Sequence, residues 1–223
     1  MQINTDGIHN LTYQAVDVAG RRSPPQSLTV RLDQTPPMVI CSQAPPPQSS
    51  GWNNTDVTVS FTATDSHSGI ATVSSPVRVS TEGANQPITG TASDKAGNSA
   101  SATCRVSIDK SPPALTASAS PATLWPPDGK MVPITISGTI TDPTSGVSTA
   151  TYAVKDEYGS VQPSGSVSLG ANGNYSFTIP LQASRNENDN DGRQYTITVS
   201  VRDKAGNQRS AATGVTVPHD QGK

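Results

Sequence analysis

Aromatic residues are nearly absent from this chain: two Phe, two Trp and five Tyr among 223 residues. With hydrophobic residues at only 32%, any core is thin and aliphatic. Charge is scarce as well, at 14%, which excludes the highly charged composition of a disordered tail. The net charge of -2 supplies no basic stripe for nucleic acid and no polybasic patch for a membrane surface. No apolar run approaches the length of a transmembrane helix, so membrane insertion is not expected. Only two cysteines occur, Cys41 and Cys104, with no C-x-x-C spacing and no neighbouring His that would suggest metal or redox chemistry. They are either a free pair or a disulfide. A thin core gains more from the bridge, which would contribute ~4 kcal/mol in the chain-entropy model. A disulfide would in turn imply an oxidising compartment, extracellular or at the cell surface.

Gly (18) and Pro (19) are plentiful instead, and Ser and Thr fill most of the space between apolar positions. Such a composition with regular turn signals suits an all-β protein. The stretch Asp94-Lys95-Ala96-Gly97-Asn98 returns as Asp203-Lys204-Ala205-Gly206-Asn207, with a relative at Asp17-Val18-Ala19-Gly20-Arg21. Each copy follows an acidic-Gly pair: Asp6-Gly7, Glu82-Gly83 and Asp191-Gly192. Each precedes a further Asp: Asp33, Asp109 and Asp220. Two of these open the linkers Asp33-Gln34-Thr35-Pro36-Pro37 and Asp109-Lys110-Ser111-Pro112-Pro113. Another landmark recurs as Asp65-Ser66-His67-Ser68-Gly69-Ile70 and Asp142-Pro143-Thr144-Ser145-Gly146-Val147. Several landmarks in one order mark an internal repeat.

Between landmarks the apolar residues alternate with period two, as in half-buried strands. Val57, Val59, Phe61 and Ala63 precede Asp65; Val132, Ile134, Ile136, Gly138 and Ile140 precede Asp142. Tyr195, Ile197, Val199 and Val201 precede Asp203, and Leu11, Tyr13 and Ala15 precede Asp17. No segment has a helical period. The expected fold is all-β, as tandem immunoglobulin-like antiparallel β-sandwiches. Residues 1–35 are expected to hold the C-terminal hairpin of a truncated module, because Met1-Gln2-Ile3 leads directly into it. Residues 36–113 form an Ig-like module, and residues 114–223 an enlarged one. The enlargement, from Thr149 to Leu181, predicts extra strands around Gly159, Pro163-Ser164-Gly165 and Asn172-Gly173. The pentapeptide then falls at the hairpin between strands F and G, where Gly supplies φ > 0 and Asp bonds backbone N–H groups.

The D-x-A-G-N turn, the acidic-Gly pair and the linker ending in Pro-Pro resemble bacterial Ig-like repeat domains of secreted and cell-surface proteins. The third module resembles one subtype, on Leu124-Trp125-Pro126-Pro127, Lys155-Asp156-Glu157-Tyr158-Gly159 and Val217-Pro218-His219-Asp220-Gln221. That subtype usually carries Asn after Trp-Pro-Pro, where this chain has Asp128. The resemblance implies a spacer, adhesion or accessory module with no catalytic activity.

In an Ig-like frame, Glu82, Asp109, Asp142 and Asp203 should converge near one linker, and Asp6, Asp33, Asp65 and Asp94 near the preceding one. Ca²⁺ takes 6–8 oxygen ligands in irregular geometry, so carboxylates from several loops can hold it. This arrangement is similar to the interdomain calcium sites of cadherins, without their linker motif. The alternative is that each Asp caps its own turn in solvent. A second candidate is the loop Glu187-Asn188-Asp189-Asn190-Asp191-Gly192, with Asp220 exiting nearby, although the full EF-hand spacing is missing. Calcium is thus the one candidate cofactor. His9, His67 and His219 have no ligand spacing and no nucleophile partner. Trp52 and Trp125 are expected to pack at sandwich edges rather than stack on sugars. Three Asn-x-Ser/Thr sites, at Asn10, Asn53 and Asn174, carry little weight in a Ser/Thr-rich chain. No nucleophile-base pair, closed metal motif or phosphate loop is present, so an enzyme is not expected. The reading is a non-catalytic structural or adhesive spacer of a secreted or surface protein, with a surface protein or polysaccharide as partner and flanking domains in a longer chain. The alternative is a carbohydrate-binding accessory region of a larger extracellular enzyme.

Overall fold

Val, Ile and Thr at alternating positions favour extended chain, because branched side chains pack well on a pleated surface. The computed structural model describes residues 2–220; Met1 and Gln221, both used in the sequence reading, lie outside them. Among the described residues the regular structure is sixteen strands and one short 3₁₀ turn, Ala171–Gly173. No helix is long and apolar enough to cross a membrane, which leaves β-barrels unaddressed. The chain divides into two compact units. The first comprises Met1–Pro46, Val57–Val79 and Asn85–Val106; the second comprises Pro47–Asp56, Ser80–Ala84 and Ser107–Lys223.

In the first unit, β1 (Gly7–Tyr13) and β2 (Gln26–Leu32) form an antiparallel two-stranded sheet. Then β3 (Met38–Ala44), β4 (Val57–Thr64) and β6 (Val77–Val79) make one three-stranded sheet. The other is β5 (Ile70–Val73), β7 (Gly83–Asp94) and β8 (Ser99–Ile108), with the ends of β7 and β8 contributed by the second unit. Val57, Val59 and Phe61 of β4 are buried, as the alternation requires. The Cys41–Cys104 disulfide, Cα atoms 5.9 Å apart, joins β3 to β8 and so links the two sheets. Gly90 of β7 lies where a Cβ would meet the Phe61 ring at 2.5 Å, so this strand glycine makes room for one of the chain's two phenylalanines. The β1–β2 hairpin differs from the half-buried pattern expected. Leu11 is half-buried, but Tyr13 and Ala15 are exposed, as are Ile8 and Leu28. A two-stranded sheet cannot bury its apolar face by itself.

The second unit holds β9 (Ala114–Leu115), β10 (Ser118–Ser120), β11 (Met131–Thr141), β12 (Val147–Asp156), β13 (Ser164–Ser166), β14 (Asn174–Gln182), β15 (Arg193–Asp203) and β16 (Gln208–Val217). One sheet runs β10-β11-β14 with β9 also on β11; the other runs β13-β12-β15-β16. The first unit sets β3, β4 and β6 opposite β5, β7 and β8, and the second sets β9/β10, β11 and β14 opposite β12, β13, β15 and β16, in both cases the immunoglobulin arrangement. The added length in the second unit carries β13 and lengthens β12 and β14 beyond β5 and β6. Its core is aliphatic, with Ile134, Ile136, Ile140, Ile179, Leu181, Ile197, Val199 and Val215 almost wholly buried. Each such side chain contributes about 1.5–3 kcal/mol when removed from water.

One end of this core is polar. Arg193 is 2% exposed and forms a two-pronged bond to Asp156, Nε to Oδ1 at 2.9 Å and Nη2 to Oδ2 at 2.6 Å. Its guanidinium carbon lies 4.8 Å from the ring centres of both Tyr158 and Tyr195. Burial alone would raise the Asp156 carboxyl. The Arg193 guanidinium, with N–H donors of Val161, Tyr158 and Ser160, outweighs it and brings the group down to about 2. This accounts for the motif Lys155-Asp156-Glu157-Tyr158-Gly159, whose Asp and Tyr enclose a buried cation.

Candidate functional site

The repeated acids come from the ends of strands. In the second unit β8 ends at Ile108 and delivers Asp109, the turn after β11 carries Asp142, and β15 ends with Asp203. Oxygen atoms of these three carboxylates lie within 4.8 Å of one another. Asp109 is 0% and Asp203 1% exposed. Asp142 Oδ1 accepts from the N–H groups of Thr144, Ser145 and Gly146 at 3.1, 2.9 and 2.7 Å. The Ser145 N–H also donates to Asp109 Oδ2 at 3.0 Å, and Ser111 N–H to Asp109 Oδ1 at 3.1 Å. Asp203 accepts from Asn207 through both oxygens, N–H to Oδ1 and Nδ2 to Oδ2, each at 2.8 Å.

The first unit repeats this set with different residues. Asp33, Asp65 and Asp94 bring their oxygens within the same 4.8 Å. Asp65 Oδ1 accepts from Gly69 N–H at 2.7 Å, Asp33 Oδ2 from Ser68 N–H at 3.0 Å, and Asp94 from Asn98 through both oxygens. These bonds account for the pentapeptide residue by residue. Its Asp caps the turn. Its Lys N–H donates to the carbonyl of Gly69 or Gly146, and the ammonium nitrogen lies 3.7 or 3.6 Å from where a Cβ on that glycine would sit. Its Gly adopts φ +99° at Gly97 and +95° at Gly206, a conformation other residues adopt at a cost. Its Asn reaches the linker: Asn98 Nδ2 donates to the Asp33 carbonyl at 3.1 Å, and Asn207 Nδ2 to the Asp109 carbonyl at 2.8 Å. The turn and the linker Asp are therefore one hydrogen-bonded device. The Asn contact has no sequence signal beyond its recurrence, because the bond spans 65 positions in one case and 98 in the other.

Of the four acids expected at the second linker, the structure brings together Asp109, Asp142 and Asp203. Glu82 has another task, accepting from Lys110 N–H at 2.7 Å and from Ser111 Oγ at 3.1 Å. Asp6 does the same at the first linker, accepting from Gln34 N–H at 2.8 Å and from Thr35 Oγ1. Asp6 and Asp33 also lie within ligand spacing of His67, which sequence spacing alone did not select. The Ser68 side chain and the N–H groups of Thr35 and Ser68 hold the Asp33 carboxyl below its ordinary range, against the effect of burial.

The distal loop is built differently. Asp189 Oδ1 accepts from Gly192 N–H at 2.9 Å, and Oδ2 accepts from the Tyr158 hydroxyl, which itself accepts from Asn186 N–H at 3.1 Å. The Tyr158 bond is the main cause that lowers the Asp189 carboxyl. Asp220 lies 3.8 Å from His219. Among the described residues, the acidic groups with ligand spacing include none of Glu187, Asp189, Asp191 and Asp220.

Two ligand atoms on one Ca²⁺ are at most about 5 Å apart, given metal–oxygen distances of 2.3–2.6 Å. The two Asp triads satisfy that bound. An oxygen that accepts a single N–H, as both oxygens of Asp109 do, keeps lone-pair capacity for a cation, whereas Asp142 Oδ1 already accepts three. The chemistry of the donor set, three carboxylates among backbone groups, suits a hard cation rather than a soft metal.

Residues 122–217 match the family described as Bacterial Ig-like domain. No curated protein matches the chain. Among solved structures, the chain is similar to a tetra-tandem repeat in the extending region of a large adhesion protein, at 17% identity and a TM-score of 0.41, covering 96% of this chain. It spans 57% of the length of that structure. It is also similar to the fibronectin(III)-like modules of CbhA from Clostridium thermocellum, at 14% identity and a TM-score of 0.38, covering 81% of this chain and 94% of that one. Domains from titin match at 11% identity and a TM-score of 0.35, covering 96% of this chain and 75% of theirs. The family match falls on β11 to β16.

Proposed function

We propose that this chain is a non-catalytic spacer from an adhesive array of Ig-like domains in a secreted or surface protein, and that Ca²⁺ stiffens it at the Asp triads. The observation that carries the reading is the duplication: linker Asp, turn Asp and hairpin Asp meet twice, and in both units the hairpin Asn donates to the linker Asp carbonyl. A cation shared by Asp109, Asp142 and Asp203 would offset the repulsion of three close carboxylates and tie the linker to both turns. The Cys41–Cys104 bridge supports an oxidising, extracellular location. The chain would then act as a length of stiff sandwich between flanking domains.

Calorimetric titration with CaCl₂ alongside thermal melts tests this. Saturable binding with a raised Tm is expected, with the second-unit site lost in Asp109→Asn and Asp203→Asn. Binding that survives those changes but disappears in Asp189→Asn and Asp191→Asn would move the site to the distal loop. No uptake at millimolar Ca²⁺ would leave the acids as turn caps only. One observation favours the carbohydrate-binding alternative: Trp125 is 44% exposed. Retention on insoluble polysaccharide that Trp125→Ala abolishes would support that reading instead.

A further inference from the structure

The two copies of the pentapeptide turn have the same backbone conformation but opposite surroundings. In the second unit the turn is covered. Gln48 Nε2 donates to the Ala205 carbonyl and Ser50 Oγ to the Lys204 carbonyl, the latter at 2.6 Å. Ala205 is 0% exposed, and a Cβ on Gly206 would meet Gln48 Nε2 at 2.9 Å. The covering segment is a preformed turn, closed by Gln48 N–H to Trp52 O at 2.9 Å and Gly51 N–H to Gln48 O at 2.8 Å. It continues alongside the end of β8 as a short parallel pairing, with Asn53 N–H bonded to Ser107 O and Asp109 N–H to Asn53 O, both at 2.9 Å.

In the first unit the matching turn is bare. Ala96 is exposed, and a Cβ on Gly97 would meet nothing within 4 Å. Beside it lies a groove of about 520 Å³ whose lining includes Ile8, Leu32, His67, Lys95 and Ala96. Leu32 stands where Ile108 stands in the other copy, one residue before the linker Asp. Ile108 is fully buried and Leu32 only half-buried. The β1–β2 sheet has only two strands, so the pairing that Asn53 makes with β8 has no counterpart at β2 among the described residues.

We infer that the Lys95–Gly97 turn and its groove are a seat for a loop of the Pro47–Trp52 type, supplied by another Ig-like module. The inference rests on the reading of the chain as an array of such modules. The chemistry of the occupant follows from the filled copy: a turn-forming segment that presents a side-chain amide to the Ala96 carbonyl and a hydroxyl to the Lys95 carbonyl, then pairs with the edge of β2.

The test is a tandem duplication within the full chain, repeating residues 38–113 after Pro113. The pentapeptide turn of the second copy then follows a whole module with its own Gln48 and Ser50. Ala96→Cys is placed in one copy at a time, and its reaction with a maleimide is timed. The second-copy thiol should react at least about tenfold more slowly than the first, since it is reached only by local opening. Gln48→Ala with Ser50→Ala in the first copy should restore the rate. Equal rates in both copies, in a duplicate that keeps the parent's melting transitions, would overturn the seat and leave the array reading untouched. Failure of the array reading would appear separately, as polysaccharide retention through Trp125. If the duplicate does not fold, the unmodified ¹⁵N-labelled chain decides, with a peptide of residues 45–53 as probe. Amide shifts at Lys95–Gly97, with Lys204–Gly206 unmoved, are expected. Absence of shifts at Lys95–Gly97 overturns the inference.

Discussion

Arg193 is a large cation held almost without solvent, and its surroundings decide whether that is tolerable. Asp156 meets it with two hydrogen bonds, and two tyrosine rings cover it. Removing one partner of such a pair strands the other charge, so Asp156→Ala should cost about 3–5 kcal/mol. Replacing both residues by apolar side chains of similar volume should recover much of that loss. Urea unfolding of the single and double variants separates the two outcomes. The pair also sets a pH dependence. Asp156 titrates near 3.8 in the unfolded chain and near 2 in the folded one. Its contribution is therefore complete above about pH 4 and is lost as pH falls through 2. The stability difference between the parent and Asp156→Asn should shrink across that window and stay constant above it.

Among elements, the F–G turn has the most to explain, because one short stretch makes four separate arrangements. Asp, Gly and Asn at those positions were legible as a turn, since each has a local reason to be there. The bond from Asn to the linker carbonyl was not legible, because its partner lies in a different part of the sequence. Asn207→Ala removes the side-chain bonds to the Asp109 carbonyl and to Asp203 Oδ2. The backbone N–H survives that change, so the expected loss is about 1–2 kcal/mol, from the two side-chain bonds. Asn207→Asp should cost more at neutral pH, because it sets a new carboxylate against Asp203 and the Asp109 carbonyl. The order of the two variants should narrow at low pH, which a pair of urea titrations at pH 7 and pH 4 would register.

At the scale of the whole molecule, two thin cores are reinforced by different means. The first unit has few large buried side chains and the disulfide between its sheets. The second has no cysteine, but a longer set of buried Ile, Leu and Val together with the Arg193 cluster. Reduction should therefore destabilise only the first unit, by ~4 kcal/mol in the chain-entropy account. Scanning calorimetry with and without reductant should show one transition moving down and the other unmoved. A uniform shift of both would mean that the two units unfold as one.

The sequence by itself determined the strands, their phase and the order of landmarks, because period-two alternation and turn chemistry act over a few residues. Val57, Val59 and Phe61 face inward, as do Ile134, Ile136 and Ile140, and the single Asp of each linker, Asp33 or Asp109, lies with two turn acids of its own unit. Only the tertiary structure decided which acids share a site. Glu82 and Asp109 both flank one linker, yet Glu82 caps it while Asp109 joins Asp142 and Asp203. Only the tertiary structure, likewise, distinguishes the identical turns Lys95-Ala96-Gly97 and Lys204-Ala205-Gly206. One is bare and the other covered by Gln48 and Ser50, because burial depends on what packs from far along the chain and leaves no mark on the residues themselves.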